Sequence, residues 1–212
     1  MEHMTTTIPS PEQRIVLHNI SWDLYESLLL AHRDCSAPRF TYDRGELEIM
    51  SPSMGHEQLK EKVALLVNIV AEEMGINVEG FGSTTFRRKD LERGFEPDAC
   101  FYFENLSQVR GKEDFDFRTD PPPDLLIEID IKSSSLNKLS IMADLGVPEV
   151  WHYGKNGWRI LGLQGMKYVE RQSSASLPGL TAEAITHLIE ESRILEPLAW
   201  TRRVREWVRT SA

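Results

Sequence analysis

The sequence predicts an α/β (α+β) chain in which a mixed β-sheet is flanked by helices. Three observations carry this. Segments of helical period alternate with short strand-like runs, in the order helix, hairpin, helix, strands, helix, strands, helices. The 212 residues are 41% hydrophobic, enough to bury a core without covalent staples. The two cysteines, Cys35 and Cys100, lie far apart with no CxxC or Cys/His spacing, which argues against a zinc site or a disulfide scaffold and suits a reducing cytoplasm.

Each element has its own warrant. In "ISWDLYESLLLAHRD", Ser21 is placed to cap a helix whose apolar residues follow at 24, 25, 28, 29 and 31. "RFTYDRGELEIMSPS" reads as a hairpin around Asp43-Arg44-Gly45. "GHEQLKEKVALLVNIVAEEMG" is the clearest helix, with a stripe at 59, 63, 66, 67 and 70 and a stop at Gly75. "INVEGFGSTTFRR" gives one or two strands broken by Gly80 and Gly82, and "EPDACFYF" a strand after Pro97. A polar connection, "ENLSQVRGKEDFDFRTDPP", leads to the strand "PPPDLLIEIDIK" and to a short helix, "SSLNKLSIMADLG", capped by Ser134 or Ser135 and stopped by Gly146. "EVWHYG", "WRILGL" and "KYVERQ" form a meander, and two helical segments separated by Pro197 close the chain. We expect an N-terminal extension over 1–19, a main domain over 20–195 and a C-terminal helical extension over 196–212.

The formal net charge of -9 weighs against broad, non-specific binding to a polyanion. A local basic groove stays open, because phosphates feel charge mainly within about 10 Å. No run of 18 apolar residues occurs, so no membrane segment is expected and the chain reads as cytoplasmic.

The most apolar strand raises the functional question, because "LLIEIDIK" carries three charges. With period two, Leu125, Ile127, Ile129 and Ile131 share one face, and Glu128, Asp130 and Lys132 share the other about 7 Å apart. Such groups must be paired, solvated in a cleft or bound to a metal. The plain reading is an edge strand with one wet face. The functional reading adds Asp98, at the start of another apolar strand. Two carboxylates can hold Mg²⁺ through oxygen, and a nearby lysine can orient or deprotonate a water and offset charge on a phosphorane-like transition state.

Pro97-Asp98 followed by Asp130-Ile131-Lys132 has the form PD…(D/E)xK, the signature of restriction-endonuclease-like phosphodiesterases. In this order, "GELEIMSPSMGHEQL", "EPDACFYF" and "PPPDLLIEIDIKSSSLNKLSIMADLGVPEVWHY" resemble the bacterial Uma-two family of restriction-endonuclease-like proteins, over roughly residues 20 to 190. The resemblance implies a restriction-endonuclease-like core and Mg²⁺- (or Mn²⁺-) dependent hydrolysis of nucleic-acid phosphodiesters, DNA foremost, by a homodimer. In the family pattern the strand acid corresponds to Glu128 and a helix lysine to Lys138. Two triads therefore stand open: Asp98-Asp130-Lys132, or Asp98-Glu128 with Lys138. Asp98 and Glu128 are expected as metal ligands, Asp130 as an accessory ligand, and Lys132 or Lys138 as the catalytic cation. Where the family often has a tyrosine after the helix lysine, this chain has Met142.

His56 matches the histidine that often opens the family's first long helix, and reads as a cap or a supporting residue. Glu57 could lend a further carboxylate, or pair with Lys60 and face solvent. Arg87, Arg88 and Lys89 follow a strand and could contact nucleic-acid backbone. Arg202, Arg203, Arg205 and Arg209 are read as the wet face of a helix whose Trp200, Val204, Trp207 and Val208 cover the core. Two rival readings are a nuclease fold that only binds or regulates, and a partner-binding domain with an exposed sheet edge.

Overall fold

The computed structural model describes residues 12–33, 35–112, 114–132 and 136–211. In chain order the elements are β1 (Gln13–Leu17), α1 (Trp22–Ala31), β2 (Arg39–Asp43), β3 (Glu46–Ser51), α2 (Met54–Met74), β4 (Glu79–Gly82) and β5 (Phe86–Arg88). A 3₁₀ turn over Lys89–Leu91 leads to β6 (Arg93–Phe95), β7 (Ala99–Tyr102), α3 (Leu106–Val109), β8 (Leu125–Ile129) and α4 (Lys138–Asp144). The chain ends with β9 (Glu149–Gly154), β10 (Gly157–Gln164), β11 (Lys167–Arg171), α5 (Ala182–Glu191) and α6 (Pro197–Ser211).

The expected helices and strands are present, and the strands divide between two sheets. One is five-stranded and antiparallel, in the order β1-β3-β2-β6-β5. The other is six-stranded and mixed, in the order β11-β10-β9-β8-β7-β4, with β8 and β9 its parallel pair. The strand-like run from 76 to 88 is thus cut in two, β4 joining one sheet and β5 the other. Residues 13–17, within the expected N-terminal extension, form the edge strand β1.

Local chemistry sets the boundaries. The Ser21 side chain accepts from Leu24 N at the start of α1, and Ser53 accepts from His56 N at the start of α2. Gly75 closes α2 with a left-handed φ of 69° that a Cβ would disfavour. Arg44 and Gly45 both adopt positive φ, the geometry of a tight hairpin turn between β2 and β3. For α4 the N-cap is Asn137, whose side chain accepts from Ser140 N; Ser134 and Ser135 lie outside the described residues.

The six-stranded sheet is buried on both faces. Leu125, Ile127 and Ile129 pack on one side with Val63, Leu66, Val67 and Val70 of α2, and with Trp200, Val204 and Val208 of α6. Leu126, Cys100 and Val150 pack on the other with Ile141 and Met142 of α4 and with Phe86 and Phe95 of the first sheet. The strand carrying the acids is therefore central, and the edge-strand reading fails. Its alternation also stops earlier than expected: Asp130 N still bonds to Tyr153 O at 2.8 Å, but Ile131 is 46% exposed and leaves the apolar face. As expected of α6, its apolar side is buried, while Arg205 and Arg209 bond to Glu73 of α2 and Arg203 bonds to Glu191. Those cations are engaged with the chain's own acids.

Close approach fixes α1 on the first sheet. A Cβ at Gly94 of β6 would collide with the Tyr25 hydroxyl and lie 3.1 Å from the Phe86 carbonyl oxygen. Tyr25 is fully buried and stacks on Tyr42, so it has little freedom to yield. Gly94→Ala should destabilise the fold by about 1–3 kcal/mol, the range for overpacking, read as a lowered denaturation midpoint in urea.

Candidate active site

The register of the mixed sheet sets acids and bases side by side. Ala99 pairs with Ile127, so Asp98, one residue earlier, stands opposite Glu128, one residue later. Glu128 pairs with His152 across the parallel β8–β9 ladder, and His152 with Arg159 across β9–β10. Asp98, Glu128, His152 and Arg159 thus form a row across four strands, on the face that α4 covers. The carboxyl end of a parallel pair is a usual place for a ligand site.

Asp98 is almost fully enclosed, at 2% exposure. Its Oδ2 accepts from Ile129 N at 2.6 Å, which ties the two strands at their ends. Its Oδ1 accepts from Arg39 Nη1 and lies 3.2 Å from His56 Nε2. The same His56 nitrogen lies 3.1 Å from Ile129 O. Glu57 bridges Arg39 at 2.6 Å and Lys60 at 2.5 Å. Burial pushes the Glu57 carboxyl upward, but the Lys60 hydrogen bond and the Arg39 charge hold it below its ordinary value.

Glu128 Oε1 accepts from Lys138 Nζ, and both side chains are buried. Glu128 Oε2 is buried with no hydrogen-bond partner among the described residues. Lys132 points elsewhere: its Nζ donates to Glu12 O at 2.8 Å. Asp130 Oδ1 accepts from Arg14 Nη2 at 3.0 Å, and its Oδ2 lies 3.0 Å from His152 Nε2. Burial raises the Asp130 carboxyl, yet the His152 hydrogen bond and the charges of Lys138 and Arg14 hold it low, so it stays ionised. Arg159 Nη2 donates to His152 Nδ1 at 3.1 Å. Glu128, Asp130, Lys138 and His152 line a cavity of about 310 Å³ with Asn137 and Lys155.

The structure therefore groups Asp98 with His56 and Arg39, groups Glu128 with Lys138 on the cavity that Asp130 also lines, and sets Lys132 apart from Glu128. If the helix lysine is the working cation, Lys138→Met should slow cleavage about a hundredfold or more, the scale for removing one transition-state donor. Lys132→Met should leave the rate within about threefold, as expected of a side chain directed away from the reacting groups. Initial rates on one substrate check both.

Burial first, and then the Arg39 charge, push the His56 imidazole below its ordinary value of about 6.5. With the folded value below the unfolded one, the unfolded chain binds more protons as pH falls through 6.5. Stability should therefore drop from that point down to the lowered folded value. Melting temperatures between pH 7.5 and 5.5 should show the slope, and His56→Gln should flatten it.

The basic trio divides. Arg88 bonds to Asp90 and to Phe117 O, and Lys89 Nζ lies 3.4 Å from Asp23. Arg87 is exposed and lines a second, larger cleft of about 870 Å³ with Arg39, Thr84, Thr85, Phe81 and Phe115. Sequence reasoning missed Arg39, Arg14, His152 and Arg159. His152 had a signal, since in "EVWHYG" the period of two opposes it to the core residue Trp151. Arg39 and Arg14 had none, because their partners are remote in sequence.

A divalent cation is tested here by donor chemistry. Asp98 and Glu128 stand at opposed positions in the β7–β8 register, and Glu128 has a buried oxygen with no hydrogen-bond partner among the described residues. Such hard oxygen donors suit Mg²⁺ or Mn²⁺. Among the described residues no three His, Cys, Asp or Glu side chains converge as a metal-ligating group, and Asp98 Oδ1 is held by a guanidinium. Asp98 and Glu128 thus supply oxygen donors of the right chemistry, each already engaged by a cationic side chain.

The Uma2 family profile, described as "Putative restriction endonuclease", matches residues 22–189. The chain belongs to the Uma2 family. No curated protein matches it. Among solved structures, it is similar to a "putative nuclease belonging to DUF820" from Anabaena variabilis ATCC 29413, with a TM-score of 0.51 at 15% identity. The alignment covers 72% of this chain and 92% of that one, which shows a shared fold. Among the described residues, no helix of this Uma2 protein is long and apolar enough to cross a membrane.

Proposed function

We propose that this Uma2 chain is a Mg²⁺- or Mn²⁺-dependent endonuclease acting on nucleic-acid phosphodiester bonds, with DNA the favoured substrate. The observation that carries the reading is the Asp98–Glu128 pair with Lys138 bonded to Glu128 at the edge of the 310 Å³ cavity. Asp98 and Glu128 are the ligands for the cation, with Asp130 accessory. A bound divalent ion there supplies a Lewis acid for a phosphoryl oxygen and lowers the pKa of a water. Lys138 Nζ, fixed by Glu128, points a donor at the attacking water and offsets the charge that builds on the phosphoryl group. Asp130 is held ionised by His152 and Arg14 and can accept a hydrogen bond from that water. His56 and Ile129 N fix the orientation of Asp98. Arg87 would meet the phosphate backbone at the larger cleft. Action as a homodimer rests on analogy with the fold alone.

A second reading, a nuclease-fold module that binds without cutting, draws on the Arg39 guanidinium at Asp98. One experiment separates the two. The purified protein is incubated with supercoiled plasmid and with single-stranded DNA in Mg²⁺, in Mn²⁺ and in EDTA. Nicked or shortened products with either metal and none in EDTA support the endonuclease. DNA retention without products supports the module.

A further inference from the structure

Arg39 opens β2 in the antiparallel sheet, yet its guanidinium ends against Asp98 at the edge of the mixed sheet. The residue is 5% exposed, and it is the cation that touches Asp98 by hydrogen bond, beside the His56 ring. A guanidinium meets a carboxylate best as a two-pronged fork. Here Asp98 takes one nitrogen, Nη1, while Nη2 goes to Glu57 and Nε is buried without a hydrogen-bond partner. The arginine is therefore divided between two acids, and Glu57, the more exposed of them, would keep hold of it if Asp98 were released. There is also room for it to move, because Arg39 lines the 870 Å³ cleft with Thr84, Thr85 and Arg87. Meanwhile Glu128, opposite Asp98 in register, is bonded to Lys138 through Oε1, and its buried Oε2 has no hydrogen-bond partner among the described residues. Each acid thus has a cationic partner, Arg39 at Asp98 and Lys138 at Glu128, and Glu128 keeps one oxygen free of hydrogen bonds among the described residues.

We propose that Arg39 is an internal counter-ion, holding the Asp98 carboxylate while no divalent cation is present and displaced toward Glu57 and the cleft when one binds. The proposal rests on Asp98 and Glu128 being cation ligands. Burying the Asp98 carboxylate without a positive partner is strongly unfavourable, so some cation must accompany it. A guanidinium and a divalent cation beside the same carboxylate repel each other, so they compete for it, and competition is reciprocal. Arg39 then sets the metal concentration at which the enzyme switches on, without contacting the metal.

Mn²⁺ binding is measured by electron paramagnetic resonance and calorimetry for the intact protein and for Arg39→Gln, Arg39→Lys and Asp98→Asn. Melting temperatures are recorded with and without Mn²⁺. Arg39→Gln should bind Mn²⁺ about tenfold tighter, within the usual span of coupling between two ligands. It should also gain more thermal stability from Mn²⁺ than the unaltered protein, because the ion replaces the lost positive charge. Arg39→Lys, which keeps the charge but loses the fork, should bind with intermediate affinity and keeps the test open if the glutamine variant does not fold. Equal or weaker Mn²⁺ binding in both variants, with binding still abolished by Asp98→Asn, overturns the counter-ion and leaves the metal site standing. Binding that Asp98→Asn does not affect overturns the metal site, and the counter-ion with it.

Discussion

Asp98→Asn should lower metal-dependent cleavage by about three orders of magnitude, at the upper end of what a single electrostatic group contributes. The substitution keeps the shape of the side chain, and its amide oxygen can still accept from Ile129 N, which Asp98 Oδ2 does now at 2.6 Å. What disappears is one of the two negative charges at opposed positions in the β7–β8 register. Arg39 keeps its 2.6 Å contact with Glu57, so its charge is not stranded and the chain should still fold. Retained melting behaviour together with lost Mn²⁺ affinity and lost cleavage would place the effect in the chemistry. A variant that cuts at near the original rate would show that Asp98 holds no metal.

The second large effect lies far from that site. Glu149 begins β9 and is 3% exposed. It accepts from Trp151 Nε1 at 2.8 Å, the Ser174 hydroxyl at 2.6 Å and Ala175 N at 2.5 Å. Its carboxylate therefore serves three donors and pins the segment after β11 to the sheet. Glu149→Ala would leave the Trp151 and Ser174 donors unpaired in a buried place, at about 1–3 kcal/mol for each group left unsatisfied, while water can reach the exposed Ala175. Shared relaxation brings the expected loss to about 3–5 kcal/mol, comparable to a large fraction of the stability of an ordinary domain. Urea denaturation of the two proteins checks it, and a loss under 1 kcal/mol would mean that water replaces the carboxylate.

Much of this was legible in the residues, and the gaps have physical causes. Strand and helix identities followed from local periods and caps, as with Ser21 and Gly75. Asp98 was singled out by its place at the start of an apolar strand, and Glu128 by the family resemblance. The division into two sheets was not anticipated, since it depends on β2 pairing with β6, about fifty residues away, rather than on any local preference. The choice between Lys132 and Lys138 stayed open because alternation was extended past Ile129. The strand ends there, and the chain turns Lys132 toward Glu12. Arg39 gave no sign of its place, as its two acids lie 59 and 18 residues on.

The row of Asp98, Glu128, His152 and Arg159 draws one member from each of four neighbouring strands. Three of its members are set by hydrogen-bond ladders, and Asp98 stands in the bend just before β7. A slip of β9 by a single position would turn Trp151 into the cavity and His152 into the apolar layer. The chemistry of this centre therefore depends on the register of β9.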